Sequence, residues 1–222
     1  MSKKVKILMV DDHPSMIEGY KIILSYNDLG YEIETSSAFN CKDAHDVIIH
    51  PSKKNYFDIV FLDYSLPPYE EKNINNGEDL ALLVKKTSPN SKIVILTSHI
   101  ETLILYNIIK RVNPNGLLVK SDFTADELLK AFESIINDEV YNSATVKSSL
   151  KELLSKDNYL DDFNRQMITL LSQGIKTKNL PQHMNLSMSS IEKRKVQIKL
   201  YLNIEKGTDE DIIREAKKRG LI

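Results

Sequence analysis

The sequence predicts an α/β protein, a doubly wound five-stranded parallel sheet, followed by an all-α helix-turn-helix domain. Three observations carry that expectation. Through residue 137, five short apolar runs alternate strictly with five helical patterns. Such alternation supplies the crossover helices that parallel strands need. Four of the runs end on residues that can do chemistry: Asp11-Asp12, Asp63, Thr97 and Lys120. Beyond residue 137 a polar linker leads to a stretch in which no strand pattern recurs and the segments are helical.

The elements follow in order. Residues 5–10 are nearly all apolar and form the first strand. Pro14 then suits the first turn of a helix, where a missing N–H costs nothing, and Ile17, Tyr20 and Leu24 repeat at helical spacing up to about residue 26. After Gly30, residues 31–35 alternate as a second strand, and Asn40 is a side-chain cap for a helix over 41–50. Ile59-Val60-Phe61-Leu62 is apolar throughout, as expected of a strand buried on both faces, and it runs straight into Asp63. A polar loop over 65–76 leads to Gly77 and a third helix, then to strand 92–96 and a helix over 101–112. Strand 117–119 follows. Thr124, with Glu127 three positions on, opens the fifth helix as a capping box. Residues 138–157 are polar and serine-rich and read as a linker with one short helix near 146–154. The domain boundaries are therefore 1–137, 138–157 and 158–222. In the last segment, helices are expected over 162–172, 178–184, 189–202 and 209–219.

Composition excludes several classes. No apolar run is long enough to span a bilayer, so no membrane association is expected. Cys41 is the only cysteine, which rules out an intramolecular disulfide and a cysteine-built zinc site. Met1-Ser2-Lys3-Lys4 leads directly into a strand and lacks the form of a signal peptide, so a reducing cytoplasm is the expected setting. Charge is divided unevenly. Residues 156–222 carry thirteen basic and nine acidic side chains, a net +4, and the chain total of −1 leaves −5 for residues 1–155.

Acids at strand ends suit one kind of chemistry. A carboxylate is a nucleophile toward phosphorus. A phosphoryl group is heavily anionic, so further carboxylates are needed to hold a hard cation beside it, and Mg²⁺ takes oxygen ligands of that kind. Asp11 and Asp12 would supply those oxygens, with the Ser65 carbonyl as a further donor. A lysine adds fixed positive charge and a threonine a movable hydroxyl. The plainer reading of Asp63, a cap on the next turn, explains one acid but not the set. His13 and His99 also lie near strand ends and read as rim residues.

Asp11-Asp12-His13-Pro14, Asp63 with Pro67 four places on, Thr97-Ser98 and Lys120 together resemble the receiver domain of two-component response regulators, a flavodoxin-like fold. The resemblance implies that Asp63 accepts a phosphoryl group from a sensor histidine kinase. It implies that Asp12 and Asp63 ligate Mg²⁺ with Asp11 assisting, that Thr97 is a switch hydroxyl, and that Lys120 contacts the phosphate. Two features depart from the family pattern. Leu117 stands where many receivers carry Tyr or Phe, with Tyr106 a speculative substitute, and the loop 68–76 is several residues longer than usual.

The basic residues of the second half concentrate at Lys193, Arg194, Lys195 and Lys199 in one helix with Ile191, Ile198 and Leu202 on its apolar face. A glycine-ended helix, a short helix, a turn at Asn185-Leu186-Ser187 and this basic helix make a helix-turn-helix layout. The layout resembles the LuxR/NarL-type DNA-binding domain. That resemblance implies double-stranded DNA as a partner, with Ser190, Lys193, Arg194 and Gln197 as contacts and Lys176 or Lys178 on the backbone, and a homodimer when phosphorylated. Glu192 stands where a family lysine often meets DNA, and Pro181 falls inside the scaffold helix. These two departures leave open a second reading, a degenerate helix-turn-helix that binds a protein. A third reading, a phosphatase working through Asp63, finds no substrate pocket in the pattern, and the chain is read as a non-enzyme.

Overall fold

The structure, a computed structural model, describes residues 3–154, 160–204 and 206–222, with the side chains of Leu103 and of 152–154 excepted. The chain divides into two compact units, Met1–Ser149 and Leu150–Ile222.

Unit 1 is built on a parallel sheet of order β2-β1-β3-β4-β5-β6. Its strands are β1 (Lys4–Val10), β2 (Glu32–Ala38), β3 (Ile59–Asp63), β4 (Lys92–Thr97), β5 (Gly116–Val119) and β6 (Tyr141–Asn142). The helices between them are α1 (Pro14–Ser25), α2 (Cys41–Ile49), α3 (Gly77–Thr87), α4 (Thr102–Val112) and α5 (Ala125–Ile136). Alternate residues of the central strands point to opposite faces. Ile7, Met9, Phe61, Val94, Leu96 and Leu118 join Ile17, Tyr20 and Leu24 of α1 and Phe132 of α5 in one core cluster. Leu8, Val10, Val60, Leu62, Ile93 and Ile95 are also buried, on the face taken by α2, α3 and α4. With both faces covered, every residue of β3 is buried, which is why its sequence shows no alternation.

The expected caps form, with one half of the capping box at Thr124; the Glu127 side chain bonds Tyr141. Asn40 Oδ1 accepts from the Asp43 N–H at 2.8 Å, and Thr124 Oγ1 accepts from the Glu127 N–H at 3.1 Å. β2 runs three residues further than its alternation suggests, to Ala38, because it pairs with β1 along its whole length.

The sheet has six strands where the sequence predicts five. The sixth lies in the predicted linker: Tyr141 and Asn142 pair with Gly116 and Leu117. A two-residue strand held by main-chain bonds leaves no side-chain period to read. The next helix, α6 (Ala144–Leu154), also falls in that stretch. The remaining predicted linker residues, 155–157, and the first two of the predicted third segment, 158–159, lie outside the described residues.

Unit 2 contains α7 (Asp162–Ser172), α8 (Leu180–Met184), α9 (Met188–Tyr201) and α10 (Asp209–Lys218). Their core joins Met167, Leu171, Leu180, Met184, Ile191, Ile198, Leu202 and Ile212. The single helix expected over 178–184 is two pieces, a 3-10 turn at Thr177–Asn179 and α8. The division resolves the difficulty posed by Pro181. It falls in the first turn of α8, where no N–H is required, rather than inside a helix that it would break.

Candidate functional site

Strand register assembles the site. Val10 pairs with Leu62, so Asp11 emerges beside Asp63. Asp63 pairs with Leu96, and Thr97 with Val119, which brings Thr97 and Lys120 to the same sheet edge. Four residues separated by up to 109 positions therefore meet at the carboxyl ends of four adjacent strands, where open α/β sheets hold their ligands.

Lys120 is the centre of the charge arrangement. Its Nζ lies 3.0 Å from Asp11 Oδ2 and 3.1 Å from Asp63 Oδ2. Both carboxylates are buried, Asp11 at 1% exposure and Asp63 at 3%. Burial raises the Asp63 carboxyl above its usual range; the Lys120 charge and hydrogen bond, and a bond from the Ser65 N–H, limit the rise. Burial alone would lower the Lys120 ammonium, but hydrogen bonds and charge from Asp11 and Asp63 outweigh it and raise the pKa. The lysine is thus held cationic between two acids. Thr97 is fully buried, and its Oγ1 accepts from the His99 N–H at 3.0 Å.

Asp12 is more open, with its side chain 32% exposed. Its Oδ1 is nonetheless a shielded atom with no hydrogen bond among the described residues. His13 Nδ1 stands 2.8 Å from that oxygen, outside hydrogen-bonding alignment, and 3.3 Å from Asp11 Oδ1. The ligand atoms of Asp11, Asp12 and His13 all lie within 4.8 Å of one another. A shielded carboxylate oxygen without a donor, beside a second buried acid, is a set that fits a hard cation. The structure places Ser65 at the site through its N–H to Asp63, and it brings His13, read from the sequence as rim, to ligand distance of Asp11 and Asp12.

Gly77 brings α3 close against the backbone of Asp63. The first residue of α3 packs so closely that an added Cβ would lie 2.0 Å from the Asp63 carbonyl oxygen. Its N–H donates to the Tyr64 carbonyl at 3.0 Å, and Asn76 caps α3 through the Glu78 and Asp79 N–H groups. The long loop that precedes it is pinned rather than loose. Tyr69 and Ile74 exchange both main-chain hydrogen bonds, Ile74 is buried, and the Tyr69 ring packs edge-on against His45 of α2.

Sequence reasoning missed two features near the site. The Tyr20 hydroxyl is buried without a hydrogen-bond partner among the described residues. Burial, and then the charges of Asp11 and Asp63, push its pKa up. Its helical spacing marked it only as core. The second is Asp122, whose carboxylate bonds to Ser143 and Thr145. Nothing local in the sequence signals contacts across more than twenty positions.

In unit 2 the expected nucleic-acid contacts fall into two groups. Lys176, Lys178 and Lys193 are exposed, and Ser190 is partly exposed at the start of α9, its Oγ 2.9 Å from the Oγ of the capping residue Ser187. Arg194 is engaged within the unit. One of its nitrogens donates to both Asp161 oxygens, at 3.0 and 2.7 Å, and to Asn164 Oδ1 at 3.0 Å, and the guanidinium lies over Phe163. Gln197 accepts from Asn164 Nδ2 at 3.4 Å. Lys195 pairs with Asp209 at 2.8 Å, and Lys199 donates to the Gly207 carbonyl. Much of the basic character that marks α9 in the sequence therefore braces this helix against its own unit.

Comparison with known proteins agrees with this geometry. Residues 7–133 match the family model of the response regulator receiver domain. The oxygen regulatory protein NreC of Staphylococcus epidermidis is 22% identical over 231 residues, spanning 98% of this chain and 99% of that protein. Among solved structures, the RcsB response regulator of Salmonella typhimurium superposes with a TM-score of 0.63 at 18% identity, over 98% of this chain and all of that one. RcsB bound to a promoter in the presence of the phosphomimetic BeF3⁻ gives 0.58 at 18% identity, over 95% and 97%.

Proposed function

The chain belongs to the response regulator receiver family and is a two-component response regulator; from that premise we propose that Asp63 is its phosphoacceptor and that unit 2 reads double-stranded DNA. The observation that carries the first part is Lys120 held between Asp11 and Asp63 at the carboxyl ends of the strands.

The donor in this reading is a phosphohistidine on a sensor kinase. A carboxylate oxygen of Asp63 forms the new O–P bond. The bond from phosphorus to the donor's imidazole nitrogen breaks, and that nitrogen leaves with the electron pair. Lys120 stays protonated and meets the phosphoryl oxygens with positive charge. The Thr97 hydroxyl, one residue past the strand neighbour of Asp63, accepts from the His99 N–H and keeps its own O–H to donate to a phosphoryl oxygen. Asp11, Asp12 and Asp63, with the Ser65 carbonyl, would hold Mg²⁺. When bound, that ion neutralises charge on the transferring group.

The DNA part rests on α9, which follows a turn, is capped by Ser187 and keeps Lys193 exposed, with Lys176 and Lys178 exposed nearby in the chain. These lysines and Ser190 form the contact surface. Arg194 and Gln197, also expected as contacts, bond Asp161 and Asn164 here, and contact with DNA would require them to exchange those bonds. Phosphorylation acts in this reading by favouring a homodimer that presents two such helices.

Incubation with acetyl phosphate and Mg²⁺ tests the acceptor. The wild type should gain one phosphoryl group and Asp63→Asn none; equal uptake by the variant overturns the assignment. Selection of duplexes from a random library, with and without beryllofluoride, tests the output. Enrichment of one motif by the mimic is the expected result, and no enrichment in either state rejects DNA reading.

A further inference from the structure

The turn that carries Lys120 is tied to the start of α6. Lys120–Asp122 is a single 3-10 turn, and its last residue faces the N-terminus of that helix. Asp122 Oδ2 accepts from Ser143 Oγ at 2.6 Å and from the Thr145 N–H at 2.9 Å. Its Oδ1 accepts from Thr145 Oγ1 at 2.7 Å. The first N–H groups of a helix lack intrahelical partners, and a carboxylate is favoured there. Asp122 is thus a cap for α6 supplied from 23 residues away.

Ser143 closes the arrangement from the other side. It is fully buried, and its Oγ accepts from the Val119 N–H at 3.1 Å while it donates to Asp122. Its own N–H donates to the Leu117 carbonyl at 3.1 Å. One serine therefore grips β5 at Leu117 and Val119 and the turn at Asp122, on either side of Lys120. The main chain around the lysine cannot move without stretching bonds to α6, which continues in sequence past the division at Leu150. Lys120 now pairs with both Asp11 and Asp63. A phosphoryl group on Asp63 would offer its own oxygens to Lys120 in place of the present carboxylate oxygen.

We propose that Asp122 is a positioning residue that couples Lys120 to the N-terminus of α6, so that occupation of Asp63 loosens the first turn of that helix. The inference rests on Asp63 being the phosphoacceptor. Coupling between two sites is reciprocal. If the occupied site loosens the latch, then breaking the latch must tighten binding at the site by the same factor.

Amide hydrogen exchange on the full chain, with and without beryllofluoride plus Mg²⁺, reads one direction; titration of the mimic reads the other. In the wild type the mimic should speed exchange at Thr145 and Val146. Asp122→Asn should bind the mimic about fivefold more tightly, the lower end of typical couplings, and should lose the exchange response. Thr145→Val removes one hydroxyl bond while keeping the N–H, and should shift affinity in the same direction by less, which guards against a general loss of fold in Asp122→Asn. Exchange at Thr145 that ignores the mimic, or affinity in both variants that is unchanged or weaker, overturns the coupling. Failure of the wild type to bind the mimic is a separate result. It removes the phosphoacceptor reading and the coupling with it.

Discussion

Gly77→Ala tests whether Asp63, the proposed phosphoacceptor, is held by backbone contact with α3. The added Cβ would lie 2.0 Å from the Asp63 carbonyl oxygen, 2.9 Å from its carbonyl carbon and 3.2 Å from Tyr64 Cα. All three are backbone atoms, so no rotamer change relieves the overlap. Ordinary contact begins at 3.4 Å, so α3 and the end of β3 must separate by about 1.4 Å. That movement opposes the bond from the Gly77 N–H to the Tyr64 carbonyl. Overpacking costs about 1–3 kcal/mol, and a weakened hydrogen bond roughly 1 kcal/mol more, so a loss of about 2–4 kcal/mol is expected from urea denaturation. Because Asp63 itself is displaced, beryllofluoride affinity should fall as well. Gly19→Ala is the control: nothing lies within 4 Å of its added Cβ. Replacing an interior helical glycine there should stabilise α1 by about 0.5–1 kcal/mol. A Gly77→Ala protein with wild-type stability and wild-type mimic affinity would refute the argument.

Removing the Asp63 charge should stabilise the metal-free protein near neutrality. A carboxyl raised in the fold favours its neutral form, so its cost sets in as pH rises from the unfolded value through the folded one. Asp63→Asn in EDTA should therefore unfold at higher urea than wild type at pH 7 and match it in acid. Asp209 has the opposite sign. Burial would raise it, but bonds from Lys195 and Thr177 bring it below 3.8, so its contribution is present above the unfolded pKa and lost as pH falls through the folded one. Asp209→Asn should flatten that acid limb in a urea titration series. Asp161→Ala removes the α7 cap and the partner of Arg194 together, with an expected loss of about 2–4 kcal/mol by denaturation. Lys193→Ala should weaken duplex binding and reduce the slope of log K against log salt by about 1, and an unchanged slope would remove Lys193 from the phosphate contacts.

What could be read from the sequence was whatever local pattern determines. β1, β3 and β4 are buried on both faces, so their apolar runs stood out, as did the acids that end β1 and β3 and the threonine that ends β4. Asn40 and Thr124 cap the helices they precede by side chains three residues from their targets. What could not be read depends on partners distant in the chain. Asp122 and Ser143 are 21 residues apart and Arg194 and Asp161 are 33 apart. No spacing rule distinguishes an arginine that faces a phosphate from one that faces an aspartate on the neighbouring helix. The resemblance named Arg194 as a contact, and in this structure Arg194 and Lys195 face aspartates of their own unit while Lys199 donates to the Gly207 carbonyl.

Leu117 gives the fold a constraint that bears on how a signal leaves the site. It is fully buried in β5, pairs with Ile95 on one side and Asn142 on the other, and carries no polar atom beyond its main chain. A side chain so enclosed cannot swing between core and solvent, as an aromatic residue at this position would. If Asp63 is the phosphoacceptor as proposed, a change there leaves through hydrogen-bonded groups near it rather than through Leu117. Those present are the Thr97 hydroxyl with the His99 N–H, and Lys120 with the turn that ends at Asp122. The first leads into α4 and the second to α6. A latch of hydrogen bonds is suited to the second path, since each bond is worth only about 1.5–3 kcal/mol to a charged group. Such energies are small enough to be overturned by one phosphoryl group and large enough to hold the turn without it.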